Sequence, residues 1–309
     1  MAEFRPGTAD QAAFLAELIE RGLLLDTGVP GLYGRSGDFE DVREAVAELV
    51  TRAVAPERPE RMRFPPILPR RDLETVGYLK SFPHLAGSIF AFAGDEAQAA
   101  EQYARASRHE DWSEHQTMTD LVLTPAACYP VYPAVAARGR LAAQGVTVDA
   151  GGAYVFRHEP SGDPARMQIF HQREIVRIGE PQAVAEWRER WRDRAVLLLG
   201  EIGLDVELEV ATDPFFGRSG RMLAASQREQ ELKFEVTVQV AGPEPTALAS
   251  FNYHQDHFAD AYGLQAGEGG AHTACLGFGL ERIALALFRT HGLAVGSWPA
   301  DVRAKLGTA

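Results

Sequence analysis

Val155-Phe-Arg-His-Glu-Pro-Ser-Gly-Asp-Pro-Ala-Arg-Met-Gln-Ile-Phe-His-Gln-Arg-Glu174 concentrates more chemically useful side chains than any other stretch of this chain. Strand-like pieces over 153–157 and 167–178 flank a turn rich in Pro, Ser, Gly and Asp, which predicts a hairpin with a long loop. Side chains alternate across a strand, so Arg157, Glu159 and Phe170 can be aimed at one ligand. Arginine on such a face, with Arg166 in the loop, suits bidentate phosphate recognition. Spacing alone leaves a solvated hairpin with incidental arginines equally open, because charged hairpins are common.

Working outward, the second informative segment is Ala271-His-Thr-Ala-Cys-Leu-Gly-Phe-Gly-Leu-Glu-Arg-Ile-Ala-Leu-Ala-Leu-Phe288. A short strand meets Gly277 and Gly279, and an amphipathic helix follows with Ile283, Leu287 and Phe288 on one face. Arg282 falls in its first turn. The third glycine of a dinucleotide fingerprint is missing and no βαβ unit surrounds the motif, so that match is poor and the segment on its own is a weak signal.

The periodicity of the rest predicts an α+β fold with an antiparallel sheet. Residues 8–25 read as a helix capped by Thr8, followed by a glycine-rich break (Gly28, Gly31, Gly34, Gly37). A second helix opens at Ser36 or Asp38 and runs to about Val54, with Phe39, Val42, Val46, Leu49 and Val50 on one face. The prolines of Arg63-Phe-Pro-Pro-Ile-Leu-Pro69 confine that run to an edge strand or an interface. A polar helix spans about 95–110, and further strands lie at 119–124, 206–210 and 231–240. Helices near 133–144, 181–200 and 279–291 stand apart from consecutive strands, which favours an antiparallel sheet. One domain over 1–309, with 1–37 as an N-terminal helical extension, is the economical organisation.

The chain has 309 residues, 46% of them hydrophobic and 24% charged, as in a soluble enzyme. With 43 acidic against 31 basic residues the net charge is -12, which argues against a surface built to attract nucleic acid. Glu3, Arg5 and Asp10 interrupt any export signal, and no apolar run could span a bilayer, so a cytoplasmic protein without membrane contact is expected. Cys128 and Cys275 lie far apart and make no disulfide framework.

Taken together, Phe-Arg-x-Glu, a loop with Arg, a Phe, and then Gly-x-Gly-x-x-Arg resemble motifs 2 and 3 of the class II aminoacyl-tRNA synthetases, above all the seryl type. Helix 38–54 with the Pro65-Pro66 strand resembles motif 1, which implies a homodimer. The resemblance runs in order over residues 38 to 300. It implies ATP with Mg2+ as cosubstrate. Arg157 would hold the α-phosphate, Glu159 the adenine amino group and Arg166 the terminal phosphates. Phe170 and Arg282 would sandwich the adenine, leaving Arg157 and Arg282 as the catalytic cations. Charge developing at the α-phosphorus as a carboxylate attacks it would be stabilised by those cations.

Pro125-Ala-Ala-Cys-Tyr-Pro130 resembles the seryl-type loop whose glutamate binds the substrate's amino group, but Cys128 stands at the glutamate position. Read as residues alone, both cysteines fit small buried hydrophobes. The zinc-containing archaeal variant of the seryl enzymes places two cysteines and a glutamate at positions matching Cys128, Glu174 and Cys275. The resemblance therefore implies Zn2+ with three protein ligands and a fourth position for the amino acid's amino group. It also puts Glu174 and Asn252 beside the amino acid.

Two departures accompany the resemblance. Lys233-Phe-Glu-Val and Ala249-Ser-Phe-Asn252 match seryl-type strands, yet Thr246 and Ala249 occupy the positions of that family's metal-binding glutamate and serine. Lys233 would serve ATP as a point cation, or simply be solvated. The first 110 residues carry no sustained heptads, so the tRNA-gripping coiled coil of seryl enzymes is absent. Truncated seryl-like chains of this kind resemble the amino acid:[carrier protein] ligases, which implies a small amino acid, glycine or alanine, delivered to a carrier protein's phosphopantetheine thiol and no tRNA. Arg218, Arg221 and Arg228 on a helix over 214–230 are the expected docking place for an acidic carrier. Arg188, Arg190, Arg192 and Arg194 alternate with Glu186, Glu189 and Asp193 and are expected on a salt-bridged solvent face. The competing readings are a small tRNA-charging enzyme and an inactive paralog serving as a regulatory subunit.

Overall fold

In the computed structural model, which describes residues 4–308, the chain enters helix α1 (Ala9–Glu20) through a capping box in which Thr8 and Gln11 satisfy each other's backbone N–H. The glycine-rich break is in fact a hairpin of β1 (Leu24–Val29) and β2 (Leu32–Arg35). Five of the six β1 residues are exposed, so no apolar alternation marks it in the sequence. Ser36 caps α2 (Gly37–Val54), which buries Phe39, Val42, Val46, Leu49 and Val50 as the periodicity predicts.

Next come β3 (Glu60–Arg61), β4 (Ile67–Pro69), α3 (Arg70–Thr75), α4 (Tyr78–Ser81), β5 (Ser88–Phe92), α5 (Glu96–Ser107), β6 (Gln116–Leu123) and α6 (Val131–Ala136). β4 edges a small sheet ordered β4-β6-β5. Pro65 and Pro66 lie just before it rather than within a strand, as expected of residues with no N–H to give a ladder.

The second half contains β7 (Val146–Phe156), β8 (Ile169–Gly179), α7 (Pro181–Gly200), β9 (Glu207–Val210), α8 (Gly217–Glu229), β10 (Lys233–Val238), β11 (Thr246–Gln255), α9 (His257–Tyr262), the short β12 (Gln265–Ala266) and β13 (Gly269–Gly270), β14 (His272–Gly279), α10 (Leu280–His291) and α11 (Ala300–Leu306). Seven strands form the main sheet in the order β3-β7-β8-β14-β11-β10-β9. Its neighbours are antiparallel, as the sequence predicted, except for the two-residue β3, which runs parallel to β7 and makes the sheet mixed.

The two-residue period of these strands sorts the molecule into two faces. Ile175, Ala274, Leu276, Phe278, Ala249, Phe251 and Val236 point into one core with α1, α2, α7, α10 and α11. Val176, Cys275, Val148 and Val155 point into the other, with α3, α4, α6 and α9. The first core is the larger. It includes Phe14 and Leu18 of α1, so the N-terminal segment is packed into the main core. Trp187 and Trp191 on α7 both donate their indole N–H to Glu57, at 2.6 and 2.5 Å, which pins α7 to the 3-10 turn that follows α2.

The arginines of α7 depart from the expected solvent face. Arg192 joins Glu189 and Asp193 as predicted, but Arg188 is buried. Its guanidinium lies 4.9 Å from the Phe234 ring centre and donates to Glu231 O at 2.7 Å. Alternating charge hid this inward turn, because the position of Phe234 against α7 is a tertiary fact. Among the described residues no helix is long and apolar enough to cross a membrane.

Candidate active site

The second face of the sheet is only partly covered, and the uncovered part is a cleft of about 1100 Å³. Its floor is built by alternation: Phe170, Gln172 and Glu174 from β8, Cys275 and Gly277 from β14, and Ser250, Asn252 and His254 from β11. Their sequence neighbours fill the opposite core, so register along three strands decides which side chains reach the cleft. Every residue the sequence singled out for ATP, amino acid or metal lines this one cavity. Arg218 and Arg221 do not; they are exposed on α8, next to the cleft's rim.

At one end, three guanidinium groups converge. Arg157 leaves the end of β7, lies 5.5 Å from the Phe170 ring centre and donates to Pro125 O at 3.2 Å. Arg166, in the β7–β8 loop, pairs with Glu159 at 3.2 Å. Arg282 is set by its own helix start: Gly279 ends β14, α10 begins at once, and the side chain donates to Ala165 O at 2.8 Å and Ala247 O at 3.1 Å. Burial depresses the Arg282 pKa, and the charges of Arg166 and Arg157 depress it further. Among the described residues neither Arg157 nor Arg282 forms a salt bridge. Three crowded guanidinium groups, of which only Arg166 is matched by a carboxylate in a salt bridge, make a place for an anion.

Lys233 behaves differently from either expectation. It is buried, and its ammonium is held by Asp213 at 2.7 Å and Glu235 at 2.9 Å. Burial opposes its charge, but the two carboxylates outweigh that and raise its pKa. Lys233 therefore adds no unmatched charge for phosphate; it fixes Asp213 and Glu235. Thr246 and Ala249 both line the cleft, and Ala249 also belongs to the large core, so neither offers a carboxylate. Glu235 does, and it faces Ser250 across the β10–β11 ladder.

Deeper in, Cys128, Glu174 and Cys275 bring their ligand atoms within 4.8 Å of one another, all three buried. Cys275 lies diagonally across the β8–β14 ladder from Glu174, and the loop after β6 brings Cys128 over both. Gly277 leaves room here: a Cβ would stand 3.2 Å from Glu174 Oε1 and 3.1 Å from Gln172 Nε2, so both side chains would have to give way. The Cys275 thiol reaches Glu174 Oε1 at 3.6 Å, while Asn252 Nδ2 donates to Cys275 Sγ at 3.5 Å. His254 Nε2 lies 3.6 Å from the same sulfur, and burial pushes that imidazole down to about 3, leaving it neutral.

The ligand atoms of this trio fit a cation. The Cys275 contact and burial push the Cys128 thiol well above its usual range, and burial raises the Glu174 carboxyl. Contact with Cys128 lowers Cys275, yet burial and Glu174 leave it raised overall. Among the described residues, buried Glu174 Oε2 and Asn252 Oδ1 have no hydrogen-bond partner. Such atoms are seldom left unsatisfied. A thiolate–carboxylate–thiolate set with spare oxygen capacity fits a divalent soft-to-borderline metal, which resolves the repulsion the protein otherwise meets by staying protonated.

Reading from sequence missed Asp213, Glu235, Ser250 and His254. The signal was present for the last two: with Asn252 on the cleft face, Ser250 and His254 follow at a period of two.

Comparison with known proteins gives this geometry a family. The chain is 45% identical over 311 residues to amino acid--[acyl-carrier-protein] ligase 2 of Bradyrhizobium diazoefficiens, covering 100% of this chain and 91% of that one. It is 43% identical over 304 residues to ligase 1 of the same organism, covering 98% and 93%. The chain belongs to the amino acid--[acyl-carrier-protein] ligase family. No family model matches the chain. The fold of this ligase is that of class II aminoacyl-tRNA synthetases: M. kandleri SerRS, solved in complex with A. aeolicus tRNASec, superposes with a TM-score of 0.80 at 20% identity over 98% of the ligase. The ligase spans 61% of that synthetase's length.

Proposed function

We propose that this ligase uses ATP to convert a small amino acid, glycine or alanine, into its aminoacyl-adenylate and passes it to the phosphopantetheine thiol of a carrier protein. The observation that carries the reading is the placement of two sites in one cleft: converging arginines at one end and the Cys128–Glu174–Cys275 trio at the other. An α-amino acid has two matching ends. Its carboxylate would face the arginines and its amino group the trio.

In the first step a carboxylate oxygen forms a bond to the α-phosphorus while the bond to pyrophosphate breaks. Arg157 would neutralise charge on the α-phosphate, Arg166 would exchange Glu159 for the terminal phosphates, and Phe170 and Arg282 would hold the adenine between them. Glu159, once released, would accept from the adenine amino group. No general base is needed, since a carboxylate is already a nucleophile at neutral pH. Mg2+ would accompany ATP, with Glu235 and Ser250 offering the oxygens that Thr246 and Ala249 lack. Zinc held by Cys128, Glu174 and Cys275 would supply a Lewis-acid site for the free amino group. Asn252 would brace Cys275 and offer its unpartnered oxygen to that same end. In the second step the pantetheine sulfur bonds to the acyl carbon, AMP leaves, and the thiol proton is released.

A path for the arm supports the carrier as acceptor. Phe215, just before α8, stacks on Phe82 at 5.1 Å, and Tyr78 joins Phe82 at 5.2 Å and Tyr129 at 5.6 Å, next to Cys128. These rings line the cleft from α8 inward, a wall suited to a long, flexible, largely uncharged arm. α8 exposes Met222 and Leu223, with Phe216 just before it, among Arg218, Arg221 and Arg228, a pattern suited to an acidic partner. The exposed Phe90, Phe92 and Met118 on the small sheet offer an apolar surface to a second copy, in keeping with a homodimer. Dependence on ATP argues for the cytoplasm.

Charge reversal at Arg218→Glu and Arg221→Glu together is expected to slow transfer to the carrier by about 10-fold or more at low salt through lost steering. Amino-acid-dependent pyrophosphate exchange should stay within twofold of wild type on the order of experimental scatter, because neither residue lines the cleft. Transfer that proceeds unchanged would remove α8 as the docking place.

A further inference from the structure

Two loops border the nucleotide end of the cleft. One is the β7–β8 connection (157–168), which carries Glu159 and Arg166; the other is the β10–β11 turn, which leads into Thr246. The first loop has internal hydrogen bonds through Ser161, Asp163 and Glu159, but connections of this kind are ordinarily more mobile than the elements they join. Here the N-terminal segment holds both.

Arg5 N donates to Pro160 O at 3.1 Å, Gly162 N donates back to Arg5 O at 3.0 Å, and Arg5 pairs with Ser161 as a short parallel bridge. Gly7 then packs against the same loop so closely that a Cβ would stand 2.8 Å from Gly162 O. Within one turn the chain reaches the second loop. Gly242 N donates to Asp10 Oδ2 at 2.8 Å, and Gln11 Nε2 donates to Ala241 O at 3.4 Å. Arg5, Thr8 and Gln11 line the cleft between the two loops. The return strand of the hairpin loop is tied down as well, since Gln168 N donates to Gly31 O at 2.7 Å and Gln168 Nε2 to Pro30 O at 2.8 Å.

We propose that residues 5–11 are positioning residues for the nucleotide: a keystone that locks the Glu159–Arg166 loop against the β10–β11 turn before ATP arrives. The proposal rests on the adenylation reading above. Its physical content is pre-organisation. Ordering a free loop residue costs about 1–2 kcal/mol, and a loop already held by the N-terminal segment does not meet that cost on binding.

The test is Gly7→Val in the full chain, which drives methyl groups into Gly162 O and leaves every side chain proposed to contact ATP unsubstituted. Pyrophosphate exchange should show a KM for ATP raised about tenfold and the KM for the amino acid within about twofold, with Tm lowered by no more than about 2–4 °C, as expected of a local loss of pre-organisation worth about 1.4 kcal/mol. Hydrogen exchange should show faster exchange at the Gly162 and Gly242 amides, both of which donate to the segment. Faster exchange there with an unchanged KM for ATP would overturn the proposal. So would an equal rise in both KM values with a larger fall in Tm, which would assign the segment to packing alone. If Gly7→Val leaves the Gly162 amide protected or prevents folding, deletion of residues 2–6 is judged by the same two criteria. Wild-type protein without any amino-acid-dependent exchange would instead defeat the adenylation reading, which keeps the two failures apart.

Discussion

Cys275→Ser is expected to release bound zinc and to lower amino-acid-dependent pyrophosphate exchange by more than about 100-fold, since even residues one layer out from a metal are worth 10–100-fold. The substitution is nearly isosteric, and Ala274 and Leu276 on either side belong to the opposite core, so β14 should keep its place. What changes is chemistry. A serine hydroxyl stays protonated where a thiol can be deprotonated, so the trio loses one of its two soft anions. Zinc content of the purified variant and its exchange rate with glycine are the measurements, with circular dichroism to confirm folding. Wild-type activity in a zinc-free variant would sink the metal reading. The raised Cys128, Glu174 and Cys275 pKa values also fix the sign of a pH effect. Zinc uptake must expel protons that the metal-free trio holds, so apparent zinc affinity should fall as pH falls and proton release should accompany loading.

Arg157→Ala is the second large effect. If Arg157 meets charge that develops at the α-phosphate, kcat should drop by about 10²–10³, the size seen when one preorganised donor to a transition-state anion is removed. The KM for the amino acid should change little. Arg157→Lys should recover only part of the loss, because a point cation cannot reproduce the planar fork that lies over Phe170 and donates to Pro125 O. A variant with full kcat and a raised KM for ATP would show that Arg157 binds ground-state nucleotide only.

Much of this was legible in the sequence, for identifiable reasons. The β7–β8 hairpin announced itself through turn residues between β-branched runs, and the junction of β14 with α10 through Gly277, Gly279 and the apolar face of the helix. α2 was clear from its cap and period. Other features were hidden because they exist only in three dimensions. No spacing links Cys128 to Cys275; strand pairing between β8 and β14 and the loop after β6 bring them together, and resemblance to a family supplied what spacing could not. The β1–β2 hairpin escaped because its residues are mostly exposed and glycine-rich. Lys233 looked solvated or free for phosphate because Asp213, which matches its charge, comes from a loop twenty residues earlier in the chain. β3 is two residues long and parallel to β7, too short for any periodicity to reveal.

The central claim is that this cleft activates an amino acid and hands it to a carrier-bound thiol. Intact-mass measurement of a phosphopantetheinylated carrier protein, incubated with the zinc-loaded enzyme, ATP and glycine or alanine, tests that claim most directly. The expected result is a mass increase of one aminoacyl group, dependent on ATP, reversed by hydroxylamine and absent from the carrier lacking its phosphopantetheine arm. An unmodified carrier alongside efficient charging of tRNA by the same preparation would contradict it.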